Sequence, residues 1–169
     1  MIRYIRKRSG VPVWSPRRVR ELAESVNGHL GHAVDWQVID ARSRIELGAL
    51  RVSFSRTDHG PETLAVRIDE VGGPSFGFTS DTGPKWSISE LGHGLDVVLA
   101  EATLAPGDEG RVQHLTAAQA GAQAAAAGAG RLLLTHLQPG TDAAAQLAAA
   151  RAHFAGPVEV VATNASYDL

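Results

Sequence analysis

A change of rhythm near residue 80 constrains the fold of this chain more than any other feature. Before it, strand-like runs are cut by turn formers; after it, strands alternate with helix-forming stretches. Residues 11–14, 35–39, 45–55, 63–68 and 75–79 read as strands, with Leu50, Val52 and Phe54 alternating against polar neighbours. Gly72-Gly73 reads as the turn of a hairpin. A helix is predicted from a Ser15 N-cap, with Pro16 at its first position, to about Val26, where Asn27-Gly28 stops it. Beyond residue 80, Ser87-Ile-Ser-Glu90 has capping-box spacing for a short helix, and residues 95–100 read as a buried strand. Thr116-Ala-Ala-Gln119 has the same spacing and opens an alanine-rich helix that stops at Gly128. A strand at Leu132 to Leu134, a helix over 142–154 and a strand over 158–162 complete the series. Strands first and β/α units afterwards predict an α/β (α+β) chain: a mixed sheet with helices packed on it. The alanine tracts are helix formers with a close-packing face.

The bulk numbers are ordinary. At 169 residues, 44% hydrophobic and 20% charged, the chain is long enough for one domain with a real core. A net charge of −2 gives no global sign of a nucleic-acid or membrane partner. Seven of the sixteen basic residues do fall in the first twenty positions, which reads as a solvated helix face. With no cysteine, disulfides and thiolate metal sites are excluded. No segment is apolar for long enough to span a bilayer, and Val11-Pro-Val-Trp14 does not read as a signal-peptide core. A cytoplasmic chain is the expectation.

The chemistry gathers at strand exits. The first run of interest ends in His59, the next in Asp81, and Arg131-Leu-Leu-Leu-Thr-His136 in His136. Two imidazoles and a carboxylate suit zinc, manganese or iron, and a carboxylate can bridge two ions. A further exit ends in Glu101, and His114 stands just before a helix N-cap. In open α/β sheets the carboxyl ends of strands are where ligands bind.

His59-Gly-Pro-Glu-Thr-Leu-Ala-Val-Arg67, Phe78-Thr-Ser-Asp81-Thr, Glu101-Ala-Thr, His114-Leu-Thr and Leu134-Thr-His136 occur in that order. Together they resemble the second half of a metallo-β-lactamase-fold hydrolase, in the branch that includes ribonuclease Z and cyclic-nucleotide phosphodiesterases. The resemblance implies an αββα sandwich, seen largely as its C-terminal half, with residues 1–169 forming a single domain. It implies that His59 ligates one divalent metal, that Asp81 bridges two, and that His136 ligates the other. Two zinc ions are implied, with manganese or iron as alternatives. Glu101 and His114 would be the acid/histidine pair that assists proton transfer or grips the scissile phosphate. The implied reaction is attack of a metal-activated hydroxide on a small-molecule or nucleotide phosphodiester.

The sequence departs from that family in one respect: the His-x-His-x-Asp-His motif of the first half is absent. The chain is therefore expected to lack the first, β-rich half, to expose a sheet edge and an apolar face, and to self-associate. The alternative is a non-catalytic half-domain that needs a partner chain. His29-x-x-His32-x-x-Asp35 has the wrong spacing for the missing ligands and reads as a surface loop. Gly73-Pro-Ser75-Phe-Gly77 matches a serine nucleophile elbow, but it runs into a strand where that elbow needs a helix. His93 reads as part of a Gly-His-Gly turn, His153 as a helix C-terminal residue and Trp86 as buried packing.

Overall fold

The computed structural model describes residues 10–28, 30 and 33–169, so His29 and His32 lie outside the described residues. The chain divides into two compact units, residues 1–43 and 44–169. In the first, β1 (Val11–Ser15) pairs in parallel with β2 (Val34–Val38), and α1 (Arg17–Asn27) forms the connection. A parallel pair needs such a crossover, because no tight turn can return the chain in the same direction. Ser15 is the last residue of β1 and does not cap α1; Pro16 occupies the cap position without a side-chain bond. Two of the helix's three arginines form surface pairs, Arg18 with Glu21 at 3.4 Å and Arg20 with Glu24 at 3.3 Å, in keeping with a solvated face.

The second unit is built on a seven-stranded sheet whose strands lie side by side in chain order. They are β3 (Arg44–Leu47), β4 (Leu50–Arg56), β5 (Leu64–Glu70), β6 (Ser75–Phe78), β7 (Val97–Glu101), β8 (Arg131–Thr135) and β9 (Val158–Val160). From β3 to β6 every pairing is antiparallel; from β6 to β9 every pairing is parallel. The change of rhythm in the sequence is thus the change of pairing in the sheet. The run over 45–55 breaks into β3 and β4 because Gly48 turns the chain with φ 63, a conformation in which a Cβ is strained. The hairpin around Gly72 is present, with Gly73 N–H donating to Glu70 O at 3.1 Å.

Helices α2 (Ala117–Ala126) and α3 (Ala143–Arg151) cover one face of the parallel half. The Thr116 capping box is complete: Thr116 accepts from Gln119 N–H while the Gln119 side chain accepts from the Thr116 N–H. Over 88–91 the chain forms only a 3-10 turn, with Ser87 accepting from Ser89 N–H. The last helix stops at Arg151, three residues short of the expected end at Phe154. Small residues let the helices approach: a Cβ on Gly121 would lie 2.5 Å from Ala150 O. Beneath them Val98, Ala100, Leu132 and Leu134 are fully buried, each large aliphatic chain contributing about 1.5–3 kcal/mol. Trp86 belongs to this core and donates through Nε1 to Ser55 Oγ at 3.0 Å. Ser75 opens β6 and donates to Asp96 at 2.7 Å, so the serine-elbow match has no elbow behind it. No helix among the described residues is long and apolar enough to cross a membrane.

Candidate functional site

Strands β4 and β6 both run antiparallel to β5, and β7 and β8 run parallel to β6. The carboxyl ends of β4, β6, β7 and β8 therefore share one edge of the sheet. All five residues singled out from the sequence leave that edge. His59 follows β4, Asp81 follows β6, Glu101 ends β7, His114 lies in the loop between β7 and α2, and His136 follows β8. Three imidazoles stand in a row there: ring centroids are 5.3 Å apart for His59 and His114 and 5.4 Å for His114 and His136.

Two groups of possible metal-binding atoms share His114. One is His59, Asp81 and His114, the other Glu101, His114 and His136, with one atom per residue within 4.8 Å of the others in each. Asp81 Oδ1 lies 3.2 Å from His136 Nδ1 and so connects them. Exposure grades across the site. The Glu101 side chain is 1% exposed and His114 19%, whereas Asp81 and His136 are 41% and 46% exposed.

Glu101 is the hub. Its Oε1 accepts from Thr82 N–H at 2.7 Å and from His114 Nδ1–H at 2.8 Å. Its Oε2 accepts from Thr103 Oγ1 at 2.7 Å and from the N–H groups of Thr103 and Leu115, each at 3.3 Å. Five donors on two oxygens leave this carboxylate little lone-pair capacity for an ion, and its geometry is that of an orienting group.

The same bonds fix tautomers. His114 donates through Nδ1, which leaves the Nε2 lone pair free. Thr103 Oγ1, its proton committed to Glu101, accepts from His136 Nδ1–H at 2.9 Å. Thr63 Oγ1 donates to Pro61 O at 3.0 Å and so accepts from His59 Nδ1, a long contact of 3.4 Å. All three imidazoles are tethered at Nδ1 and present Nε2.

Several residues that sequence reasoning passed over hold this arrangement. Gln113 donates to Asp58 Oδ1 at 3.0 Å and accepts from Gly60 N–H at 3.2 Å, clamping the His59 loop beside the His114 loop. Thr57 donates to Asp81 O at 2.9 Å, and the buried Thr79 accepts from Glu101 N–H at 3.0 Å. Ser80 and His136 have φ of 51 and 59, left-handed values rare outside glycine, each costing about 1–2 kcal/mol. Strained backbone held at a site by its surroundings is a usual companion of function. Thr103 had a signal in the sequence, as the last residue of Glu101-Ala-Thr; the buried threonines had none beyond their nearness to strand ends.

The profile of the beta-lactamase superfamily domain matches residues 1–137. The chain belongs to the metallo-beta-lactamase superfamily. An uncharacterized protein of Mycobacterium leprae (strain TN) is 36% identical over 127 residues, covering 74% of this chain and 44% of that protein. Ribonuclease BN of Escherichia coli O1:K1 is 37% identical over 90 residues, covering 52% of this chain and 28% of that protein. The chain thus spans under half the length of these curated relatives. The crystal structure of the metallo-beta-lactamase fold protein YhfI from Bacillus subtilis superposes with a TM-score of 0.81 at 21% identity, over 94% of this chain and 65% of YhfI. The fold implies divalent metal binding. Imidazoles and carboxylates without thiolates, gathered within ligand distance of one another, fit such an ion.

Proposed function

We propose that this chain carries a phosphodiester-hydrolysing site, with His59, Asp81 and His136 holding divalent metal and the Glu101–His114 pair handling protons. The observation that carries it is the set of three imidazoles each held at Nδ1 by a hydrogen-bond partner, with the Asp81 carboxylate 3.2 Å from His136 Nδ1. Such hydrogen bonds commonly orient metal-binding histidines and raise their basicity. The ribonuclease named among the relatives supports a phosphodiester as the bond cleaved. Zinc is the ion we assign first, with manganese or iron compatible with the same donors. When bound, divalent ions supply Lewis acidity at the phosphoryl oxygens and activate water.

The chain's own groups do the rest. Glu101, buried and saturated with donors, holds His114 in one orientation and stabilises its cationic form during turnover. His114 Nε2 then receives a proton from the attacking water or delivers one to the leaving oxygen. Thr103 passes the same restraint to His136. The half-exposed Asp81 and His136 mark the side from which substrate enters.

A second reading, a half-site that needs a partner chain, is favoured by arithmetic. His59, Asp81 and His136 offer three protein donors, whereas an ion in a catalytic zinc site commonly has three of its own. One experiment addresses both readings. The chain is reconstituted with zinc or manganese, desalted and analysed by elemental mass spectrometry, then assayed with bis(4-nitrophenyl) phosphate. Bound metal with chelator-sensitive turnover supports the first reading. Metal near zero and no turnover sink it and leave the second.

A further inference from the structure

Among the described residues the large sheet has two edges, β3 and β9. Proteins usually blunt such an edge with a very short strand, proline, lysine or a bulge, because its outward N–H and C=O groups can pair with another chain. The β9 edge is blunted: the strand has three residues, and its Glu159 accepts from Arg131 at 3.0 Å. The β3 edge is not. Arg44-Ile45-Glu46-Leu47 holds no proline, glycine or lysine, its register with β4 is unbroken, and Arg44, Glu46 and Leu47 are exposed.

Residues directly opposite one another on antiparallel strands share a face of the sheet. Two rows therefore run out to this edge. On one face Phe76, Ile68, Val52 and Ile45 lie in line, apolar to the last strand. On the other face Asp69, Arg51 and Glu46 alternate in sign, with Arg44 two residues along β3 from Glu46.

A second β3, laid antiparallel across a twofold axis at Ile45, continues both rows. Ile45 meets its counterpart, and Glu46 meets the Arg44 position of the other copy, so the signs alternate through the seam. Symmetry makes that contact twice and closes the assembly at two copies. Other registers fail. A slip of one residue joins the charged row of one copy to the apolar row of the other. A slip of two sets Arg44 against its own counterpart, or Glu46 against its own, and like charges directly opposite are destabilising. The backbone agrees with the favoured register. Leu47 faces Leu50 across a two-residue turn as a hydrogen-bonded pair, so alternate residues of β3, Glu46 among them, direct N–H and C=O away from β4.

We propose that β3 is a dimerisation edge, through which two copies of this chain pair antiparallel over Arg44, Ile45 and Glu46 and join their sheets into one. The seam is short, which places the dimer among weak, transient interfaces.

Sedimentation of the full chain at about 100 μM should show a dimer that dissociates on dilution. Arg44→Glu and Glu46→Arg each oppose like charges at the seam, and each should weaken association by about tenfold or more. Mixed one to one, the two variants should dimerise again, because each supplies the charges that the other needs. A folding defect could not be rescued by mixing. The chain has no cysteine, so single thiols test the register. Ile45→Cys should oxidise readily to a linked dimer, since its counterpart is a non-hydrogen-bonded partner with Cα about 4.5 Å away. Leu47→Cys should not, because its counterpart lies about 13 Å along the strands. A wild-type chain that stays monomeric, single charge variants that associate as well as the wild type, or a mixture that does not associate would overturn the proposal. So would linkage of Leu47→Cys as fast as Ile45→Cys.

Discussion

Replacing Glu101 with glutamine tests the hub of the site with almost no change of shape. The wild-type carboxylate accepts five hydrogen bonds, three of them from backbone amides that can only donate. A glutamine must set its NH₂ at one of the two oxygen positions. At the Oε1 position it faces Thr82 N–H, 2.7 Å from that atom in the wild type, and His114 must turn its tautomer over. At the Oε2 position it faces the N–H groups of Thr103 and Leu115, while the Thr103 hydroxyl can reverse and accept. Either way at least one buried amide loses its acceptor, and the remaining bonds lose their charge. Bonds to charged groups contribute about 1.5–3 kcal/mol and an unsatisfied buried donor costs about 1–3 kcal/mol. The expected destabilisation is about 2–4 kcal/mol, a large share of the 5–15 kcal/mol that holds a typical domain together. For a chain of this size that is a fall in Tm of roughly 5–15 °C. Thermal and urea unfolding followed by circular dichroism would measure it. A loss below about 0.5 kcal/mol with unchanged His114 nitrogen shifts would refute the claim that Glu101 organises the site.

Other perturbations follow from the same contacts. Thr103→Val removes the hydroxyl between Glu101 and His136 and leaves Asp81 Oδ1, 3.2 Å away, as the acceptor for His136 Nδ1–H; the ¹⁵N shifts of the His136 ring should move, with about 1–2 kcal/mol of stability lost in thermal unfolding. Asp96 accepts from both the N–H and the hydroxyl of Ser75, and these bonds, the hydroxyl first, hold its carboxyl below the usual aspartate range. Because the folded value is depressed, the stabilisation is present above the unfolded value near pH ~4 and is lost as pH falls through the folded one. Asp96→Asn should therefore unfold earlier than the wild type in urea at pH 7 and match it in strong acid; equal gaps at both would count against the clasp. Gly121→Ala forces a methyl to within 2.5 Å of Ala150 O and should cost about 1–3 kcal/mol, with the spacing of α2 and α3 changed in a crystal structure.

The order of strands and helices was legible because each half has its own period and its own punctuation. Capping at Thr116 was readable because threonine and glutamine at that spacing satisfy each other's backbone groups, and both bonds are made. At Ser15 and Ser87 the same residue type misled for different reasons. Ser15 is claimed by strand pairing, with Ile39 N–H donating to its carbonyl at 3.0 Å. Ser87 caps only a single 3-10 turn, accepting from Ser89 N–H two residues on rather than from the third residue as a capping box requires. The split of residues 45–55 turned on one glycine in the left-handed region, Gly48, where alternation continues on both sides of the turn.

The site was legible in kind and illegible in arrangement. A histidine or carboxylate at the end of an apolar run signals a strand exit, and four such exits on strands of one direction must meet at one edge. Nothing local to the sequence says that His114 stands between the other two imidazoles, because its place depends on the Gln113 clamp between loops some fifty residues apart. Nor could spacing show that one buried carboxylate, through His114 on one oxygen and Thr103 on the other, restrains two rings at once. This coupling has a consequence for how the site fails. Loss of any one of Glu101, Thr103 or His114 should disturb tautomers at its neighbours, so single substitutions here should be strongly non-additive. If the double variant Glu101→Gln with Thr103→Val loses no more than Glu101→Gln alone, the two residues act as one restraint; fully additive losses would mean that His114 and His136 are held independently.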